Sequence, residues 1–296
     1  LLRKFSDLRD RVLPLKNERD FFTSFRGNKL SSKQRLDTLL VELGLIASRE
    51  QAQRLIRSGA VQVERTVVDK PGTEVSPTAA IQIKERSPFV SRGGEKLAGA
   101  LAAFEIDLSD RVGLDGGIST GGFTDCLLKH GAARIYGVDV GYGQVAWEVR
   151  NDPRVVLKER TNLRYLAPED LYPPDAPRPN FAVLDLSFIS VTKVMPALWE
   201  LLLPPREVLV LVKPQFEAGK QQVGKHGIVK DPKIRAEAFH RVMTAAIAQG
   251  WHFRGMARSP IQGKTGNYEY WLWLLDSESV NVSLPTLDDI NDLTGG

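Results

Sequence analysis

The sequence predicts an α/β chain with a mostly parallel seven-stranded sheet, preceded by a small α+β unit. Three observations carry this. Over residues 111–275, strand-sized apolar runs alternate with helical patterns, the mark of a sheet covered by helices on both faces. The first of those strands runs into a glycine-rich turn, Asp115-Gly116-Gly117-Ile118-Ser119-Thr120-Gly121-Gly122. Ahead of it, residues 35–86 hold two short helical patterns and three short strand patterns of their own.

Composition sets the bounds. The 296 residues suit two domains at roughly 150 residues each. With 42% hydrophobic residues and a formal charge of only +4, wholesale disorder is excluded. One Cys rules out an internal disulfide framework and a cysteine-based zinc cluster, and no metal site is expected. No apolar run approaches the roughly 18 residues of a membrane helix.

In the small unit, Arg35–Gly44 shows helical spacing and a terminal glycine. Ser48, with Gln51 three residues on, fits the capping-box pattern and opens a second helix from Arg49 to Arg57. Strands are expected at Val61–Val63, Val67–Val68 and Ile81–Ile83, with Lys70-Pro71-Gly72 as a turn. Arg54 and Arg57 share a helix face, and Arg49 and Arg35 add charge suited to phosphate contacts. The run from Arg35 through Ser48-Arg49 and Gly59-Ala60-Val61-Gln62-Val63 to Lys70-Pro71-Gly72 resembles an S4 RNA-binding domain. That resemblance implies a grip on structured RNA.

Strands of the large unit are expected at Val112–Leu114, Ile135–Val138, Val155–Leu157, Phe181–Leu184, Val208–Val212, His252–Ala257 and Tyr268–Leu275. Helices are expected near Glu95–Phe104, Gly121–Lys129, Gly143–Arg150, Val191–Leu202 and Ile234–Gln249. The glycine-rich turn sits at a strand's carboxyl end, where open α/β sheets take cofactors. It is neither a dinucleotide fingerprint nor a P-loop. Asp139, ending the second strand, can accept both hydroxyls of a ribose, and Asp115 can hold a cationic or amino group. An acid, a glycine-rich turn with Gly116, Gly117, Ser119 and Gly121, and a second-strand acid together suit S-adenosylmethionine, which needs few phosphate donors.

Four charged residues flank this turn or stand at strand ends: Lys96, Asp185, Lys213 and Glu269. Lys213 follows five apolar residues, and a lysine so placed is costly unless paired. Asp185 and Glu269 are the natural partners. The chemistry that fits is methyl transfer to a weakly acidic hydroxyl. Lys213 takes the proton of a ribose hydroxyl or steadies its oxyanion, and Asp185 orients Lys213. Lys96 and Glu269 position the ribose.

Six segments now stand in order: Ser91–Leu97, Asp115–Leu128, Gly137–Gln144, Asp185–Ser190, Val212–Glu217 and Gly266–Glu269. With them, residues 35–275 resemble the TlyA/hemolysin A family, S4-bearing members of the FtsJ-like ribose methyltransferases. The resemblance implies a Rossmann-like methyltransferase fold and a Lys-Asp-Lys-Glu tetrad at Lys96, Asp185, Lys213 and Glu269. It also implies cofactor contacts near Gly116, Ser119, Asp139 and Asn162. The implied reaction is S-adenosylmethionine-dependent 2′-O-methylation of ribosomal RNA, on cytidine.

Other readings compete. An exocyclic-amine methyltransferase would use Asp185-Leu186-Ser187-Phe188, but the usual prolines are missing and both lysines are left without a task. A cytosine-carbon methyltransferase needs a nucleophilic Cys, and Cys126 sits in an apolar helical stretch. The non-enzyme alternative is an S4-anchored ribosome assembly factor with a degenerate second domain. Domain bounds are expected at 1–34 for a basic extension, 35–86, 87–93 for a linker, 94–276, and 277–296 for a solvated acidic tail. Residues 214–230 are expected to be a mobile loop that brings Lys220, Lys225 and Lys230 to phosphates, with Arg92 a further RNA contact. The basic extension is compatible with organelle import in a eukaryote; a bacterial chain would be cytoplasmic.

Overall fold

The computed structural model describes residues 33–83, 87–277 and 282–295. The basic extension over residues 1–32 lies outside them, as does the import reading it carries. The chain divides into two compact units between Arg86 and Ser87.

The first unit runs β1 (Gln34–Arg35), α1 (Leu36–Glu42), α2 (Arg49–Arg57), β2 (Val61–Val63), β3 (Thr66–Val67), β4 (Glu74–Val75) and β5 (Ile81–Ile83). The three-stranded sheet has the order β3-β2-β5, all antiparallel, and β1 pairs antiparallel with β4. The β1–β4 pair was not expected, because strands of two residues carry no readable period. Ser48 caps α2 by accepting from the Gln51 amide at 3.2 Å, as the sequence indicates. Leu36, Leu40, Ala52, Ile56 and Val61 form the core.

The second unit begins with α3 (Arg92–Phe104) and β6 (Val112–Gly116), then α4 (Gly122–Lys129), β7 (Arg134–Val138), α5 (Trp147–Arg150) and β8 (Val155–Lys158). It continues with α6 (Pro168–Leu171), β9 (Phe181–Leu184), α7 (Met195–Leu201), β10 (Glu207–Val212), α8 (Pro214–Glu217), α9 (Pro232–Ile247), β11 (His252–Arg258), β12 (Tyr270–Leu275) and α10 (Leu287–Gly295). The sheet order is β11-β12-β10-β9-β6-β7-β8. The contacts from β10 through β8 are parallel, and β12 is antiparallel to both β10 and β11. All seven expected strands are present. Their near-continuous apolar runs follow from burial on both faces: one core cluster gathers Leu184, Val210, Phe239 and Leu272, another Leu97, Leu127, Val183 and Trp271.

Three expectations need correction. The stretch read as a solvated acidic tail contains α10, whose Ile290 is fully buried in the cluster with Phe239 while Leu293 packs against it. Two apolar residues three apart make a helical stripe that the surrounding Asp residues obscure. Residues 87–91, expected as linker, are packed on the second unit: the Pro88 carbonyl accepts from Lys129 at 2.6 Å and the Val90 amide donates to Asp125 at 2.9 Å. The helix expected at Gly143–Arg150 is confined to Trp147–Arg150, since Gly143 has φ +71°.

Replacing Ile290 with Ala should cost about 2–5 kcal/mol of stability, the usual range for emptying a fully buried aliphatic site. Urea unfolding with fluorescence detection measures it.

Candidate active site

The site is built at the carboxyl edge of the sheet. β6 ends in Asp115-Gly116, and the chain turns sharply into α4. Gly117 has φ +89°, and a Cβ there would lie 2.7 Å from the Asp185 carbonyl oxygen. Glycine is therefore required where this turn passes Asp185, the residue after β9, whose amide donates to the Gly116 carbonyl at 3.0 Å.

The turn's amides are spent inside the chain. Those of Gly117 and Ile118 donate to the Val138 carbonyl at 2.8 and 3.2 Å, and that of Gly121 to the Ile118 carbonyl at 2.7 Å. The Ser119 amide donates to Asp139 Oδ2 and the Gly141 amide to Asp139 Oδ1, both at 2.7 Å. These five amides are engaged within the chain, so they offer nothing to a phosphate. What remains are acceptors. Each Asp139 oxygen keeps one lone pair, and its side chain is half-buried.

Asp115 is fully buried. Its Oδ2 accepts from the Thr124 hydroxyl at 2.7 Å, while Oδ1 is buried without a hydrogen-bond partner among the described residues. Burial pushes the carboxyl up to about 7, and the nearby Asp185 and Asp139 add to the rise.

Two lysine–carboxylate pairs complete the edge. Lys96 Nζ donates to Glu269 Oε2 at 2.6 Å, with both side chains almost wholly buried. Lys213 Nζ lies 2.6 Å from Asp185 Oδ1, off the hydrogen-bond line, and donates to the Ser187 hydroxyl at 3.0 Å. The register explains how they meet. β9 and β10 are parallel neighbours, so Asp185 and Lys213 emerge together. β12 runs the other way with Tyr270 opposite Val212, so the residue before Tyr270, Glu269, falls beside the residue after Val212, Lys213. Lys96 comes from the second turn of α3.

Three residues given no role from the sequence brace this edge. Ser187 holds Lys213. Glu217 is buried; its carboxylate accepts from the Ser190 hydroxyl at 2.6 Å and the Val191 amide at 2.8 Å, tying the segment after β10 to the segment after β9. Burial raises its pKa. Asn267 accepts from the Val229 amide at 2.9 Å and donates to the Gly227 carbonyl at 2.8 Å. Glu217 and Asn267 lie in the motifs Lys213–Glu217 and Gly266–Glu269, which was the available signal. They also correct the expectation of a freely mobile loop over 214–230: both of its ends are pinned, and short helical turns occupy Lys220–Gln222 and Lys225–Gly227. Lys220, Lys225 and Lys230 are exposed.

The other predicted contacts separate. Asn162 is exposed and caps its own turn by accepting from the Arg164 amide at 3.1 Å. Arg92 donates to the Gln262 carbonyl at 2.8 Å. In the first unit Arg35 and Arg49 hold the buried Asp37, Arg35 through two bonds of 3.0 and 2.8 Å and Arg49 through one of 3.1 Å. Arg35's hydrogen bonds above all hold that carboxyl well below the usual range. Both guanidiniums are thus part of the fold, although each remains about half exposed. Arg54 and Arg57 are exposed and make no ion pair among the described residues. Phe188 follows this site at φ +66°, 92% exposed, its ring 5.2 Å from Phe216.

Comparison with known proteins agrees with this geometry. The FtsJ-like methyltransferase model matches residues 89–275, and the S4 domain model matches residues 34–81. The chain belongs to the FtsJ-like methyltransferases, in the S4-bearing TlyA/hemolysin A group. It is 46% identical over 263 residues to the 16S/23S rRNA (cytidine-2′-O)-methyltransferase TlyA of Mycobacterium tuberculosis, covering 88% of this chain and 96% of that one. It is 38% identical to hemolysin A of Brachyspira hyodysenteriae, covering 80% and 97%. A solved protein of Streptococcus thermophilus matches with a TM-score of 0.68 at 39% identity, covering 90% and 96%.

The chain is therefore an S-adenosylmethionine-dependent methyltransferase. The site fits that cofactor on its own terms. A buried carboxylate oxygen without a donor and acceptors at Asp139 favour a ligand carrying positive charge and hydroxyls. Among the described residues no helix is long and apolar enough to cross a membrane, and no cluster could hold a metal ion.

Asp115 gives a pH signature. Its folded-state pKa lies above the ordinary value of 3.8, so the folded chain holds this proton more tightly than the unfolded chain. The stability it contributes is present at low pH and is lost as pH rises through about 7. Asp115→Asn should flatten the fall in ligand-free melting temperature between about pH 4 and 7, relative to wild type, in a calorimetric series.

Proposed function

We propose that this enzyme 2′-O-methylates a cytidine ribose in ribosomal RNA, with Lys96, Asp185, Lys213 and Glu269 as its catalytic group. The observation that supports this most is the pair of buried ion pairs, Lys213–Asp185 and Lys96–Glu269, delivered to one sheet edge by the β10–β12 register. A sugar hydroxyl is a poor nucleophile at neutral pH. It needs a group that takes its proton or steadies its oxyanion as it attacks, and Lys213 is that group. Asp185 and Ser187 fix where its Nζ points. The Lys96–Glu269 pair sets the ribose and keeps the edge near neutral. S-adenosylmethionine supplies the electrophilic methyl group. Asp115, Gly116, Gly117, Ser119, Gly121, Asp139 and Asn162 form its binding surface, with Asp139 receiving ribose hydroxyls and Asp115 a cationic group. Holding hydroxyl and methyl in line supplies much of the rate.

Ribosomal RNA is the partner that the TlyA relatives' names suggest, and the S4 unit suits it. Arg54 and Arg57 are the exposed phosphate contacts on α2, with Lys220 and Lys225 on the second unit. Arg35 and Arg49 offer their exposed halves after satisfying Asp37. The exocyclic-amine reading is weaker, because Asp185 is committed to Lys213 and is not free to hold an amine.

The test is methyl transfer from labelled S-adenosylmethionine to unmodified ribosomal subunits, with the labelled nucleoside identified after digestion. Wild type should yield 2′-O-methylcytidine. Lys213→Ala should lose about 100-fold or more in kcat, the lower range for removing a general base, with cofactor affinity retained. Label on a base would overturn the ribose reading. No label, with subunits and cofactor both bound, would favour the assembly-factor alternative. Separately, replacing both Arg54 and Arg57 with Ala should weaken subunit binding and lower the slope of log K against log salt by about one to two, as expected for two lost phosphate contacts. Filter binding across a salt series reads it.

A further inference from the structure

Arg235 is a buried cation that the proposed chemistry does not use. It lies on α9, only 6% exposed, and makes no ion pair with a carboxylate among the described residues. Such a charge is expensive unless other groups satisfy it. Its acceptors are two backbone carbonyls. Nη2 donates to the Thr294 carbonyl at 2.6 Å and Nη1 to the Lys230 carbonyl at 3.3 Å. Thr294 lies in the last turn of α10, where carbonyls lack helical partners and carry the negative end of the helix dipole. A guanidinium is well matched to that end. Thr294 is itself buried, and its hydroxyl reaches the Pro232 carbonyl at 3.2 Å.

The same guanidinium lies over the ring of Tyr268, 4.8 Å from its centroid, and Arg258 lies over that ring at 4.0 Å. Tyr268 stands between the two residues that matter most on this segment. On one side is Asn267, which clasps residues 227–229. On the other is Glu269, whose carboxylate holds Lys96 and whose carbonyl accepts from the Ser259 amide at 2.9 Å. Glu269 itself precedes β12. Its position depends on how residues 263–269 are held, and Arg235 is a fixed point beside them.

We propose that Arg235 is a positioning residue for the methyl-transfer site. Anchored by the carbonyl end of α10 and by Lys230, it fixes the Tyr268 ring and thereby the Glu269 carboxylate against Lys96. This rests on the reading of Lys96 and Glu269 as part of the catalytic group. Arginine is required rather than lysine, because one planar group must serve two carbonyls and an aromatic face at once.

The experiment uses the full chain as wild type, Arg235→Met and Arg235→Lys, together with a chain ended after Pro285, alone and combined with Arg235→Met. Methyl transfer to unmodified subunits gives kcat and the KM for S-adenosylmethionine. Hydrogen exchange by mass spectrometry is read without substrate. Arg235→Met should lower kcat about 10- to 100-fold with the KM for cofactor within about twofold, since a misplaced catalytic group costs rate of that order. Arg235→Lys should recover part of the loss. Exchange should quicken in peptides spanning 263–270 and stay unchanged in β6, β7 and β9. The shortened chain should lose a similar factor, and the combined variant no more than the larger single loss, as two parts of one support require. Unchanged kcat in Arg235→Met, multiplied losses in the combined variant, or exchange quickened throughout the sheet would each overturn the proposal. If the shortened chain does not fold, the Arg235 variants and their exchange pattern decide. If wild type methylates no ribose, the proposed function fails, while the exchange pattern still tests whether Arg235 holds residues 263–270.

Discussion

Everything at the active edge depends on holding two lysines in place where water is nearly excluded. Lys96 and Lys213 are each about one-tenth exposed, and each is answered by a carboxylate at 2.6 Å. Removing one partner would strand a buried charge, which costs more than any exposed ion pair is worth. The pairs therefore constrain their neighbourhood. β10 must run two residues past the end of β9, β12 must begin opposite the end of β10, and α3 must present its second turn to the same edge. The braces at Ser187, Glu217 and Asn267 serve that alignment, since each joins segments that leave or enter adjacent strands.

The cofactor end is organised by a different constraint. The glycine-rich turn crosses so close to the end of β9 that its second glycine admits no side chain. Its amides turn inward to Val138 and Asp139, which holds the first and second strands' carboxyl ends together. A cationic ligand finds Asp115 there with a buried oxygen free among the described residues. Burial above all raises the Asp115 pKa in the ligand-free chain; the nearby Asp185 and Asp139 add to it and make positive charge welcome.

In the first unit, basic residues divide into two kinds. Arg35 and Arg49 are fixed by Asp37, at the junction of α1 and α2, so their geometry is set before any ligand arrives. Arg54 and Arg57 project from α2 without ion pairs among the described residues. Charge counting along the sequence treats all four alike; only the fold separates the pair that holds a buried acid from the pair that stands in solvent.

The sequence by itself determined the seven strands, the S4 unit, the Asp115–Gly122 turn and the four charged residues at strand ends. These are local facts: apolar runs read by period, glycines read by conformational freedom, and charges made conspicuous by their apolar surroundings. It did not determine that β12 runs antiparallel, which alone puts Glu269 beside Lys213, nor which lysine takes which carboxylate. It missed α10, because an apolar stripe of two residues is lost among aspartates until a complementary surface on α9 buries it. It gave no role to Asn267, Glu217 or Arg235, whose bonds span 38, 26 and 59 residues of chain. Contacts of that length follow from how the sheet is ordered, and strand order is a property of the packed molecule.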